Sequence, residues 1–92
     1  MSRLQNKAVI ITGGAGGIGA GMAKAMVKEG ANVLIVDVNE EAGAKVLAEL
    51  REFSPKSEFL QFDLMKHDEL HKIVGFAVEK FWRLDVLVSN AH

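Results

Sequence analysis

The chain has 92 residues, 49% of them hydrophobic and 25% charged, which fits one small globular domain and excludes a disordered segment. A net charge of -1 gives no basic footprint for nucleic acid or an acidic membrane surface, and zero cysteines exclude disulfides and thiolate metal sites. No apolar run approaches membrane-spanning length, and Thr12 and the glycines stop the run at residues 8–11 before it becomes a secretory-signal core, so a cytoplasmic protein with no membrane partner is expected.

The first predicted element is a strand over Ala8–Thr12, a short β-branched run with no polar alternation. It ends in Gly13-Gly14-Ala15-Gly16-Gly17-Ile18-Gly19, and helical spacing begins at once. A strand, a glycine turn and a helix in that order bring a pyrophosphate onto a helix N-terminus, where unpaired N–H groups and the positive end of the helix dipole face the anion. Two glycine registers overlap: Gly14, Gly16 and Gly19 fit G-x-G-x-x-G, whereas Thr12-Gly13, Gly17 and Gly19 fit T-G-x-x-x-G-x-G. The helix is predicted over residues 17–29, with Ile18, Met22, Met26 and Val27 on one face and Gly30 as its stop.

The second strand is predicted over Asn32–Asp37. Its terminal Asp37 stands about 20 residues past the glycines, where a carboxylate accepts hydrogen bonds from adenosine ribose hydroxyls. The same carboxylate repels a 2′-phosphate, no Lys or Arg lies among residues 13–19, and Val38 follows the aspartate, so NAD is favoured over NADP. The competing role for Asp37 is an N-cap for the next helix, which Asn39 can fill as well. That helix is predicted over residues 40–53, facing inward through Ala42, Val46, Leu50 and Phe53 and ending before Pro55.

A third strand is predicted over residues 58–62, a third helix over 67–82 and a fourth strand over 85–89. The third helix carries Leu70, Ile73, Val74, Ala77, Val78 and Phe81 at helical spacing, interrupted by Gly75. Right-handed crossovers between the four strands give the spatial order 3-2-1-4, with the first two helices on one face and the third on the other. The expected fold is α/β, the N-terminal half of a Rossmann-like doubly wound parallel sheet. Its fourth strand is left as an apolar edge through Val86, Leu87 and Val88, which invites self-association.

Thr12-Gly13-x-x-x-Gly17-Ile18-Gly19, Asp63-Leu64, Arg83-Leu84-Asp85-x-Leu87-Val88 and Asn90-Ala91, in this order and spacing, resemble the short-chain dehydrogenase/reductase family. The resemblance covers essentially the whole chain but only the N-terminal part of that family's domain. It implies that Gly13, Gly17, Ile18 and Gly19 wrap the pyrophosphate of NAD and that Asp37 holds the adenosine ribose. It also implies that Asp63 hydrogen-bonds the adenine amino group, that Leu64 lies against the ring, and that Asn90 and Ala91 close the fourth strand beside the cofactor. The family usually has N-N-A-G where this chain has Ser89-Asn90-Ala91-His92, and glycine where Trp82 precedes Arg83.

The implied activity is hydride transfer between the nicotinamide and an alcohol or carbonyl substrate. The family's proton donor is a tyrosine, assisted by a lysine and a serine. This chain has no tyrosine, and Ser89 does not match the catalytic serine, so no catalytic residue is assigned. Residues 1–92 read as a partial NAD-binding domain without the catalytic portion. The alternative is a truncated, non-catalytic protein that holds a nucleotide or pairs with a partner.

Other chemistries fit less well. His67 and His71 stand at i and i+4, but glutamate does not directly follow the first histidine, so they read as solvated first turns of a helix and no metal is expected. No G-K-[ST] follows the glycines, which argues against a phosphate-binding loop of the NTPase type. A methyltransferase using S-adenosylmethionine normally wants an acidic residue before the first glycine, and Ala8–Thr12 has none.

Overall fold

The structure is a computed structural model that describes residues 5–13, 16–62, 70–81 and 84–89. Strand β1 (Ala8–Thr12), helix α1 (Gly17–Lys28), β2 (Asn32–Asp37), α2 (Glu40–Leu50), β3 (Glu58–Gln61), α3 (Leu70–Phe81) and β4 (Val86–Ser89) alternate along the chain. The strands form one four-stranded sheet in the order β3-β2-β1-β4. Every pairing is parallel: Val9 stands opposite Val33 and Val86, and Leu34 opposite Glu58.

The continuous apolar character of β1 and β2 follows from a sheet covered on both sides. Val9, Ile11, Val33 and Ile35 face one core with Ala23 and Val27 of α1 and Val46 and Leu50 of α2. Ile10, Leu34 and Val36 face the other with Ile73 and Ala77 of α3. Side chains alternate between faces at a period of two, so burial on both faces requires apolar residues at every position.

Four expectations about these elements need correction. Ile18 is 76% exposed; α1 instead turns Gly19, Ala23 and Val27 inward, with Met22 and Met26 packed beside them. Helix α2 stops at Leu50, and Phe53 is 55% exposed in the following turn, its ring 5.7 Å from the Lys28 ammonium. The stop has a tertiary cause. Ser54 Oγ donates to Asn32 Oδ1 at 2.6 Å, and Ser57 Oγ accepts the Val33 N–H at 3.0 Å, so the chain must leave the helix to reach the start of β2. On α3, Val78 is 44% exposed while Phe76 and Phe81 pack against the core. The predicted start of that helix at 67–69 and its end at Trp82 lie outside the described residues. Finally, β3 ends at Gln61 and β4 begins at Val86; just ahead of β4 the Asp85 carboxylate accepts the Ala8 N–H at 2.8 Å and the Asp85 N–H donates to the Ala8 carbonyl at 2.9 Å.

Gly43 marks the closest approach between α2 and the sheet. A Cβ there would fall on Cε1, Cζ and Cδ1 of the Phe59 ring, so only glycine lets α2 lie this near β3. Strand β4 is paired along one side by β1 and leaves Val86 38% and Leu87 45% exposed.

Candidate functional site

Two turns meet at the C-terminal edge of the sheet, above the adjacent ends of β1 and β2. Gly13 leaves β1 with φ 70, a left-handed conformation that disfavours any side chain, and its N–H donates to the Val36 carbonyl at 2.7 Å. The turn is closed by Gly16 N–H donating to the Gly13 carbonyl at 3.3 Å, and α1 begins as Ala20 N–H reaches the Gly16 carbonyl at 2.7 Å. Thr12 is buried beneath this turn, and its hydroxyl donates to the Val88 carbonyl at 3.3 Å, tying β1 to β4.

The two helices that start at this edge are built differently. Asn39 caps α2, its Oδ1 accepting the Ala42 N–H at 2.9 Å, and Glu40 and Glu41 complement the dipole in the first turn. Helix α1 has Gly16 at its N-cap, no side-chain cap and no acidic residue in its first turn. The N–H groups of Gly17, Ile18 and Gly19 therefore lie in a first turn that has no side-chain cap and no acidic residue of its own. A Cβ on Gly17 would project into open space, and Gly16 and Gly17 are both exposed. These residues fit an anion such as a pyrophosphate.

Asp37 ends β2 at the neighbouring position, half-buried. It does not cap α2; Asn39 does. Asp37 Oδ1 accepts the Asn39 N–H at 3.1 Å, and its backbone carbonyl accepts from Phe62 N–H at 3.1 Å. Val38, 56% exposed, follows it, and the Val38 carbonyl accepts a hydrogen bond from Gln61 Nε2 at 3.1 Å. Sequence reasoning passed over Gln61; a single polar residue at a strand end has no periodicity to betray it. Its place in register opposite Asp37 exists only once β3 pairs with β2.

Of the expected site residues, the structure brings Gly13, Gly17, Ile18, Gly19 and Asp37 to one edge of the sheet, with Ile18 exposed beside the uncapped turn. Asp63, Leu64, Asn90 and Ala91 lie outside the described residues, as do His67 and His92. Among the described residues no cluster of three or more potential ligands could hold a metal ion. A cleft of about 420 Å³ lies at the opposite, N-terminal end of the strands, lined by Asn6, Lys28, Asn32, Phe53 and Ser54, and shares no residue with this edge. The lowered pKa of Glu49 is also remote from the site. Its carboxylate is held below the ordinary glutamate value chiefly by its hydrogen bond with Lys24, 2.8 Å away across the α1–α2 boundary.

Comparison with known proteins gives the family and the same fold. A family model described as short chain dehydrogenase matches residues 7–92. Short-chain dehydrogenase reductase 3b of Arabidopsis thaliana is 45% identical over 89 residues, covering 97% of this chain and 34% of the relative. A crystal structure of a short chain dehydrogenase from Bacillus anthracis superposes with a TM-score of 0.87 at 38% identity, covering 96% of this chain and 36% of that one. The NAD+-bound structure of a xylitol dehydrogenase gives a TM-score of 0.87 at 27% identity, covering 92% of this chain and 33% of that one. The chain thus spans about a third of the length of the curated relatives it matches.

Proposed function

The chain belongs to the short-chain dehydrogenase/reductase family, and from that premise we propose that its residues form the NAD-binding part of an oxidoreductase that moves hydride between nicotinamide and an alcohol or carbonyl substrate. The family match sets aside the methyltransferase alternative. One observation carries the cofactor reading: the uncapped N-terminus of α1 and the Asp37 carboxylate lie side by side at the C-terminal edge of adjacent parallel strands. In open α/β sheets that crevice is where dinucleotides bind.

The N–H groups of Gly17, Ile18 and Gly19 hold the pyrophosphate, and Gly13 makes the turn that lets it approach. Asp37 accepts hydrogen bonds from the adenosine ribose, and Asp63, Leu64, Asn90 and Ala91 complete the adenine and nicotinamide sides. When bound, the nicotinamide gives or takes the hydride; these residues bind and orient it. A carbonyl oxygen needs a proton as hydride arrives at carbon, and the family's donor is a tyrosine, which this chain lacks. Turnover by the family's route needs a proton donor that these 92 residues do not hold, and their role in this proposal is to bind and orient the cofactor. Among the described residues no helix is long and apolar enough to cross a membrane, and a cytoplasmic location is part of this reading.

Calorimetric titration with NADH tests the site. The chain should bind, and Gly19→Val, which puts a branched side chain at a buried position beneath the pyrophosphate, should abolish binding. Tight binding retained in that variant would overturn the assignment. A second reading, a protein that pairs with a partner, is favoured by the exposed Val86 and Leu87 on the β4 edge. Light scattering coupled to size exclusion distinguishes it: concentration-dependent association supports it, and a monomer at all concentrations contradicts it.

A further inference from the structure

The turn after β2 contains a peptide group gripped from both ends. The peptide joining Val38 to Asn39 donates through its N–H to Asp37 Oδ1 at 3.1 Å, and accepts through its carbonyl from Gln61 Nε2 at 3.1 Å. The N–H and C=O of a trans peptide point in opposite directions, so two partners on opposite sides fix the plane's rotation. On either side the chain is already held. The Asp37 carbonyl accepts from Phe62 N–H, and Asn39 Oδ1 caps α2 through the Ala42 N–H. A flip of this plane would take the Asn39 N–H away from the Asp37 carboxylate. A carbonyl that accepts a hydrogen bond also polarises its own N–H, so the two contacts strengthen each other.

We propose that Gln61 is a positioning residue for cofactor selection: its side-chain amide holds the Val38–Asn39 peptide, and that peptide holds the Asp37 carboxylate in the orientation that meets the ribose. This rests on the cofactor reading above for its consequence, but not for its geometry. Gln61 is exposed at the end of β3, in register with Asp37, and contributes no large apolar surface to either core. Its hydrogen bond links β3 to the β2–α2 turn.

The test compares the chain with Gln61→Met, which keeps side-chain length and removes the donor, and with Gln61→Asn, which keeps the amide on a shorter stem. Hydrogen exchange of the Asn39 amide should quicken by about three- to tenfold in Gln61→Met, the range of one modest hydrogen bond, while the Ile35 amide in β2 stays unchanged. NADH should bind about three- to tenfold more weakly, and the NADH/NADPH affinity ratio should fall towards one, with Gln61→Asn between the two. A merely structural role would quicken Ile35 as well and weaken both cofactors equally. Unchanged Asn39 exchange overturns the proposal, as does quickened exchange with an unchanged affinity ratio. If the parent chain itself binds NADH no better than NADPH, the cofactor reading has failed, and Asn39 exchange alone then decides whether Gln61 sets this peptide.

Discussion

Gly43→Ala puts two effects of known sign against each other. Alanine in a helix interior is favoured over glycine by about 1 kcal/mol. At Gly43 the new Cβ would land on three atoms of the Phe59 ring, and Phe59 packs against the core that contains Val46 and Leu50. Overpacking of this kind costs roughly 1–3 kcal/mol. Contact with three ring atoms, and no flexible chain end able to yield, places this case at the upper limit. The expected net loss is about 2 kcal/mol, which for a domain of this size lowers Tm by roughly 10 °C. Gly75→Ala is the matched control, because a Cβ at Gly75 on α3 meets nothing within 4 Å and should raise stability by up to about 1 kcal/mol. Circular dichroism during thermal and urea unfolding measures both, and Gly43→Ala combined with Phe59→Leu should recover part of the loss. A Gly43→Ala variant as stable as Gly75→Ala would refute the close approach of α2 to β3.

Ser57→Ala should cost about 1–3 kcal/mol in urea unfolding, because fully buried Ser57 is the acceptor for the Val33 N–H at the start of β2. Asp85→Ala should destabilise more than Asp85→Asn, since only the alanine strips the Ala8 N–H of its side-chain acceptor; equal losses would contradict the bond. The Lys24–Glu49 pair lowers the Glu49 pKa, so its contribution is present above the ordinary glutamate value and is lost as pH falls through the lowered one. Glu49→Gln should therefore flatten the acid limb of a stability–pH curve and leave less salt dependence near neutrality; an unchanged limb would show the pair to be inert.

The sequence shows β1 and β2 with their full bounds because both are β-branched runs buried on two faces, and turn residues bracket them. The strand order follows from parallel pairing and crossover handedness. Periodicity failed where tertiary bonds decide. Phe53 continues the helical spacing of α2, yet Ser54 and Ser57 are drawn to Asn32 and Val33 across the sheet, which ends the helix at Leu50. Ile18 fits the apolar stripe of α1 in a helical projection, but the buried row runs through Gly19, Ala23 and Val27, where small residues let the helix lie close to the strands. The places of the glycine turn and of Asp37 were legible because Gly13 takes a positive φ that favours glycine and Asp37 closes the apolar run of β2. Gln61 was not, because its bond to the Val38 carbonyl exists only once β3 lies beside β2.

The proposed role of the Asp37 carboxylate as reader of the adenosine ribose is tested most directly by paired titrations of NADH and NADPH against the chain and Asp37→Arg. Two like unit charges 4 Å apart repel by about 1 kcal/mol in water and by about 4 kcal/mol at the effective dielectric of a protein surface, and a 2′-phosphate carries a charge of about −1.5 to −2, so its placement beside Asp37 should cost at least about 1.5 kcal/mol, roughly tenfold in affinity. The parent chain is predicted to prefer NADH by that margin, and Asp37→Arg to narrow or invert the preference. Equal affinities in the parent, or a preference that Asp37→Arg leaves untouched, would contradict the account.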